Sequence, residues 1–243
     1  MIPRTIHYCW FGRTQKPELV KNCIDSWRKH LPEYDIVEWN ETNFDVERYR
    51  YSSQAYSAGK FAFVSDVCRL HALSVAGGIY LDTDVEFLKP INQEMLLNDA
   101  FTGFEDNLLL SSAIMGSVKN GSWVSDLLAP YRKRSFYLED GIADTTPNTE
   151  VITAFMKVEK GLILNNSVQH IENYLMVYPS EFFSPKSWKS LKIAITDNTY
   201  AIHHFAASWL SEPKTLLGRI SNRLLGKLAA DYLSRVYRGI LGR

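Results

Sequence analysis

Along the first residues, Ile6, Tyr8 and Trp10 alternate with Thr5, His7 and Cys9 until Gly12 breaks the run, which predicts an opening strand. From residue 19 to residue 30 the period changes. Val20, Cys23, Ile24 and Trp27 recur at helical spacing, with Pro17 ahead of them and Pro32 behind. Ile36, Val37, Glu38 and Trp39 form a second short strand closed by Asn40. The strongest helix is predicted over 60–76, where Phe61, Val64, Cys68, Leu70, His71 and Val75 follow near i, i+4 spacing; Gly77 and Gly78 end it. Ile79, Tyr80 and Leu81 enter a third strand, and Asp82, Thr83 and Asp84 stand where that strand leaves the core.

This order of strands and helices predicts an α/β fold, a mostly parallel sheet flanked by helices. Ligands bind beyond the carboxyl ends of the strands in such sheets, where Trp10, Asn40 and Asp82 lie. The second half is less regular. Its apolar runs predict strands near 100–104, 113–116, 162–164 and 200–203, and helices near 121–134 and 149–157.

Composition narrows the class. Hydrophobic residues are 46% and charged residues 22% of 243, which excludes wholesale disorder. Lys and Arg number 27, as do Asp and Glu, so the net charge is zero, and a nucleic-acid partner is not expected. That neutrality hides a division. Residues 214–243 hold seven basic side chains against Asp231 alone, a net +6, while residues 1–213 hold 20 basic against 26 acidic, a net −6. In the tail, Leu217, Ile220, Leu224, Leu228, Tyr232, Val236 and Ile240 recur at helical spacing. A basic amphipathic helix follows, suited to an anionic membrane surface or to closing the domain with its basic face in water. Residues 1–213 are read as one catalytic domain. Three cysteines with no C-x-x-C pair, no signal-peptide stretch and no apolar run of spanning length predict a cytoplasmic protein. The tail would place it peripherally on the inner face of the plasma membrane.

Candidate chemistry concentrates in Ser65-Asp66-x-x-Arg69 and in the segment from Gly77 to Asp84. An extended strand aims Asp82 and Asp84 the same way, and paired carboxylates at a strand end suit Mn²⁺ or Mg²⁺ carrying a diphosphate. Asp66 and Arg69, three apart on a helix, are neighbours on one face within an apolar stretch, where charges need a reason to be present. Presented together they can hold several hydroxyls of a polyol.

Ile2-Pro3-Arg4-x-Ile6-His7-x-x-Trp10-x-Gly12, then Ser65-Asp66-x-x-Arg69, then Gly77-Gly78-Ile79-Tyr80-Leu81-Asp82-x-Asp84 resembles the DXD-containing sugar transferases of glycosyltransferase family 32. These include bacterial capsule and lipopolysaccharide enzymes, relatives of yeast α-mannosyltransferases and, more distantly, of glucosylating clostridial toxins. The resemblance implies a GT-A fold, Rossmann-like, with a nucleotide-sugar donor, a divalent cation and retention of anomeric configuration. By it, Trp10 stacks on the uracil of a UDP-sugar, although the mannosyltransferase branch would use GDP. Ser65, Asp66 and Arg69 contact the ribose or donor sugar, with Tyr80 near the donor. Asp82 stands near the ribose and sugar hydroxyls, and Asp84 binds the metal. Asp82, Asp84, Asp66 and Arg69 are the expected catalytic set. Ile202-His203-His204-Phe205-Ala206-Ala207-Ser208-Trp209 resembles the fold's C-terminal metal and diphosphate segment. Alternation after Ile202 favours His204 over His203 as a second metal ligand, with Ser208 and Trp209 on the phosphates.

For a retaining enzyme, Glu105 or Asp106 could offer a carboxylate on the acceptor face, and neither is assigned as catalytic. Asn148 and Thr149 are candidate acceptor contacts. The expected function is transfer of a hexose to a glycan or lipid-linked oligosaccharide in bacterial surface polysaccharide synthesis. Two alternatives stand beside it: a metal-dependent phosphohydrolase or nucleotidyltransferase using the same pair, Asp82 and Asp84, and a non-catalytic carbohydrate-binding module.

Overall fold

The computed structural model describes residues 1–105 and 108–206. Asp106, Ser208, Trp209 and the tail 214–243 therefore lie outside the described residues.

The chain opens with β1 (Thr5–Cys9), α1 (Glu18–His30), β2 (Asp35–Trp39), α2 (Arg50–Ser57), α3 (Phe61–Ala76) and β3 (Gly78–Leu81). It continues with β4 (Val85–Phe87), β5 (Ala100–Glu105), β6 (Leu109–Leu110), β7 (Ile114–Ser117), α4 (Ser122–Leu128) and α5 (Asn148–Lys160). The last described elements are β8 (Gln169–Ile171), β9 (Leu175–Tyr178), α6 (Ser180–Phe183) and β10 (Ala201–His203). The main sheet has the order β2-β1-β3-β7-β5-β9-β8, with β6 on β5. Strands β2, β1, β3, β5 and β9 run the same way, while β7, β6 and β8 are reversed. Parallel pairing thus dominates where the two crossover helices α1 and α3 cover the sheet, as their apolar faces require.

Two apolar cores lie on opposite sides. One gathers Phe63, Val64, Val67 and Leu70 of α3 with Tyr80, Phe104 and Met115. The other gathers Val20, Ile24 and Trp27 of α1 with Ile79, Leu81 and Ile114. Successive residues of β3 therefore face different cores, which the 2-residue period of a strand demands. At Gly78, φ is +109° and a Cβ would meet Thr5 O at 2.5 Å, so only glycine lets β3 start this close to β1.

A small second sheet positions the site. β10 pairs antiparallel with β4, setting His203 opposite Val85 and Ile202 opposite Glu86. Helix α1 pins this ribbon, since Trp27 Nε1 donates to Val85 O at 2.7 Å and Phe87 N donates to Ser26 Oγ at 2.9 Å.

The predicted strand at 162–164 does not form. Gly161 takes a left-handed conformation at the end of α5, and Leu162 N donates back to Met156 O at 3.1 Å. Ile163 then has both backbone groups satisfied by the Gln169 amide, at 2.9 and 2.7 Å. With a side chain supplying those bonds, no strand partner is needed. Elements beyond the sequence expectations include α2, β4, β6, the β8–β9 hairpin and α6. Helix α2 buries Tyr51, Ser52 and Ala55 beneath a polar sequence, and β4 is three residues long.

Candidate active site

Arg69 lies at the centre of one half of the site. Its Nη2 reaches Asp66 Oδ1 at 2.9 Å, and its Nη1 reaches Asp82 Oδ1 at 3.2 Å. Nη1 also donates to Ser112 O at 2.6 Å and Nε to Ser65 O at 3.3 Å. The guanidinium packs 4.6 Å over the Tyr80 ring, whose hydroxyl donates to Asp82 Oδ1 at 2.9 Å. Asp82 N donates to Ala113 O, so the bend before β7 holds both the arginine and the DXD backbone.

Burial and pairing oppose each other here. Burial would discharge Arg69, yet Asp82, Tyr80 and Asp66 hold its pKa above the ordinary value. Asp66 goes the other way. Burial pushes its carboxyl up to about 6, Arg69 opposes this, and Asp82 adds to it. The Asp66 carboxyl also feels the charge of Arg134. That guanidinium grips Asp144 Oδ2 through Nε and Nη2 at 3.0 and 2.6 Å and lies over the rings of Tyr51 and Tyr131. Asp144 in turn takes the Thr146 hydroxyl, which fixes the approach to α5. In the first turn of that helix Asn148 is buried, and its Nδ2 has no hydrogen-bond partner among the described residues.

The other half is assembled from distant segments. Asp84 Oδ1 lies 3.5 Å from His203 Nε2, and Asp84 Oδ2 accepts from Ala206 N at 2.7 Å. Burial would raise the Asp84 carboxyl, but His203 and the Ala206 amide outweigh it and bring it down to about 2. For His203, burial works against the charge, and Asp84 with Glu105 carries the imidazole up to about 10. Asp82, Asp84 and His203 each present a ligand atom, all within 4.8 Å of one another.

In this arrangement His203 takes the position facing Asp84 that alternation favoured for His204. The His204 Nε2 pairs with Glu86 Oε2 at 2.8 Å, away from Asp84. The alternation argument fails because β10 ends at His203. His204 then bonds through its backbone to Asp84 O, and Phe205 turns with φ +53°.

Asp66, Arg69, Tyr80 and Asp82 are thus brought together, with Asp84 beside them. Ser65 flanks this group, and its hydroxyl donates to Phe61 O within the helix. Trp10 is partly buried just past β1; its indole N–H donates to Thr14 O at 2.8 Å, and Lys16 Nζ lies 5.8 Å from the ring. Glu105 faces His203 at 3.7 Å. The Ser112 carbonyl is beyond the reach of sequence reasoning, since a backbone acceptor leaves no mark on residue type. A signal for His203 did exist: Val85, Glu86 and Phe87 could pair with residues 201–203 and carry it to Asp84.

The fold and the DXD segment are similar to those of glycosyltransferases. A family model described as "Glycosyltransferase sugar-binding region containing DXD motif" matches residues 17–102, which take in Ser65 to Asp84. Among solved structures, the chain is similar to "PaToxG Glycosyltransferase", with 18% identity, 65% of this chain and 70% of that one covered, and a TM-score of 0.50. It also matches the UDP-bound glycosyltransferase domain from the YGT toxin, at 12% identity, 67% and 68% coverage and a TM-score of 0.45. No curated protein matches the chain.

Proposed function

We propose that the protein is a metal-dependent, retaining hexosyltransferase of the family 32 type. It moves a hexose from a nucleotide-sugar, with a UDP-sugar favoured, to a glycan or lipid-linked oligosaccharide acceptor in bacterial surface polysaccharide synthesis such as capsule or lipopolysaccharide. One observation carries this reading: Asp82 belongs at once to the buried Asp66–Arg69 cluster and to the Asp84–His203 pair. A sugar-holding half and a cation-holding half therefore meet at one carboxylate.

The donor set fits a hard divalent cation. Two carboxylates and one imidazole, with no thiolate among them, suit Mn²⁺ or Mg²⁺. Asp82, Asp84 and His203 would hold it. When bound, the cation stabilises the negative charge that develops on a nucleoside diphosphate leaving group. Asp66 and Arg69 orient the sugar so that its anomeric carbon faces the acceptor. Arg69 is suited to this because its charge is locked by two carboxylates and a carbonyl and its plane by Tyr80. Trp10 offers an indole for stacking on a base at the edge of the sheet. Asn148, whose buried amide has no hydrogen-bond partner among the described residues, and Thr149 would contact the acceptor.

Ser208 and Trp209 complete the reading as diphosphate contacts. The basic segment 214–243 would hold the acidic body to the anionic inner face of the plasma membrane, in the cytoplasm. None of the helices among the described residues is long and apolar enough to cross a membrane.

The decisive experiment screens UDP- and GDP-sugars with Mn²⁺ for slow donor hydrolysis. At least one donor should be turned over, and Asp84→Ala should abolish it. If none is bound or hydrolysed, or if Asp84→Ala changes nothing, the proposal fails.

A further inference from the structure

Glu105 ends β5, where the β5–β6 pairing sets it opposite Leu109. Its side chain is 11% exposed, and its Oε2 is buried without a hydrogen-bond partner among the described residues. The nearest base is His203 Nδ1, 3.7 Å away and equally without a hydrogen bond. That distance is an ion-pair contact and too long for a hydrogen bond. A buried polar atom left without a hydrogen bond is costly. Two such atoms aimed at each other mark an arrangement that tightens in another state.

The imidazole itself has little freedom. The Phe205 ring lies 4.1 Å from it, centroid to centroid, and the β4–β10 register holds its backbone. Its other nitrogen, Nε2, faces Asp84 at 3.5 Å. Two cis ligands on a cation with bonds near 2.1 Å stand about 3 Å apart, so this edge is close to ligating geometry. A histidine that ligates through one nitrogen needs the proton on the other, and a carboxylate behind the ring fixes that tautomer and raises the ligand's basicity.

We propose that Glu105 is a positioning residue for the cation: it accepts the Nδ1–H of His203 and so directs the Nε2 lone pair toward Asp82 and Asp84. This rests on the reading that those three residues hold a divalent cation. It also gives Glu105 a place other than the acceptor face.

The test titrates Mn²⁺ into the full chain without donor, reading free Mn²⁺ by electron paramagnetic resonance. Glu105→Ala should weaken binding about 10- to 100-fold. Glu105→Gln keeps the shape and an acceptor oxygen but no charge, and should fall between; if Glu105→Ala does not fold, Glu105→Gln decides. Nitrogen-15 spectra of the Mg²⁺-loaded protein should show His203 as the Nδ1–H tautomer, mixed in Glu105→Ala, which a merely structural role would not produce. Unchanged Mn²⁺ affinity in both variants, or an Nε2–H tautomer in the loaded protein, overturns the assignment and leaves the transferase reading standing. Absence of Mn²⁺ binding by the unaltered protein overturns both.

Discussion

The two halves of the site are built on different terms. Around Arg69, one continuous stretch supplies Ser65, Asp66, Tyr80 and Asp82, and the guanidinium has partners on every side: two carboxylates, two carbonyls and a ring. Around Asp84, three separate segments contribute, and the contacts of His203 are long, 3.5 Å to Asp84 and 3.7 Å to Glu105. The first half is a finished structural cluster. The second is incomplete by itself, its donors converging without closing on one another. In the proposed transferase, the closed cluster would position the sugar, and the acid–imidazole group with its open coordination would meet the charge.

Breaking the finished half should have the largest effect. Arg69→Met strands Asp66 as a buried acid beside the partly buried Asp82, and should cost about 3–5 kcal/mol in denaturant unfolding, since removing one partner of a buried pair leaves the other uncompensated. Asp66→Leu combined with Arg69→Met should recover part of that loss. A transferase also loses donor binding in Arg69→Met, whereas a phosphohydrolase using only Asp82 and Asp84 keeps its turnover.

In the open half the balance reverses. Asp84→Asn should lower Mn²⁺-dependent donor turnover by about 10²–10³-fold, the scale of losing one charge-stabilising group. Its stability near neutral pH should fall by about 2–3 kcal/mol, less than in Arg69→Met, because His203 and the Ala206 amide hold the Asp84 carboxylate below its ordinary pKa but its loss strands no second carboxylate. A stability loss larger than that of Arg69→Met with turnover intact would invert the comparison.

Asp66 gives the first half a pH signature. Its folded pKa of about 6 lies above the ordinary 3.8, so between those values the folded protein keeps a proton that the unfolded chain has lost. Stability therefore falls as pH rises from about 4 to about 6, by roughly 2–3 kcal/mol, and levels off above. Asp66→Asn should flatten that slope in unfolding measured from pH 4 to 7.

The smallest effect separates the neighbouring histidines. His204→Ala breaks a partly exposed contact with Glu86 and should change stability by under about 1 kcal/mol and Mn²⁺ affinity hardly at all. His203→Ala should weaken Mn²⁺ binding at least tenfold in the same titration.

How far each half could be anticipated follows from the same difference. The helix over 60–76, the glycine pair and Asp82-x-Asp84 are consecutive, so periodicity and spacing place Asp66, Arg69 and both aspartates. His7 shows the limit even there. It stands within a motif, yet the structure makes it a core group: Trp39 Nε1 donates to its Nδ1 at 3.0 Å, and its Nε2 donates to Gly77 O at 2.8 Å. Burial lowers its pKa, and it is a neutral clasp between strands. Residue type alone does not separate that from catalysis.

By itself, the sequence determined what local interactions determine: the α/β order, the helix that carries Asp66 and Arg69 on one face, and the two aspartates at a strand end. A period of 3.6 or 2 acts over neighbouring residues and is written in their polarity. Only the tertiary structure decided which histidine meets Asp84, that Ser112 O holds Arg69 while Ala113 O braces the DXD turn, and that Glu105 stands behind His203. Those outcomes depend on the β4–β10 register, where a shift of one residue moves each side chain to the opposite face. Strand β4 is itself held by Trp27 and Ser26 on a helix nearly sixty residues away in the chain, through bonds to backbone atoms that no side-chain pattern announces.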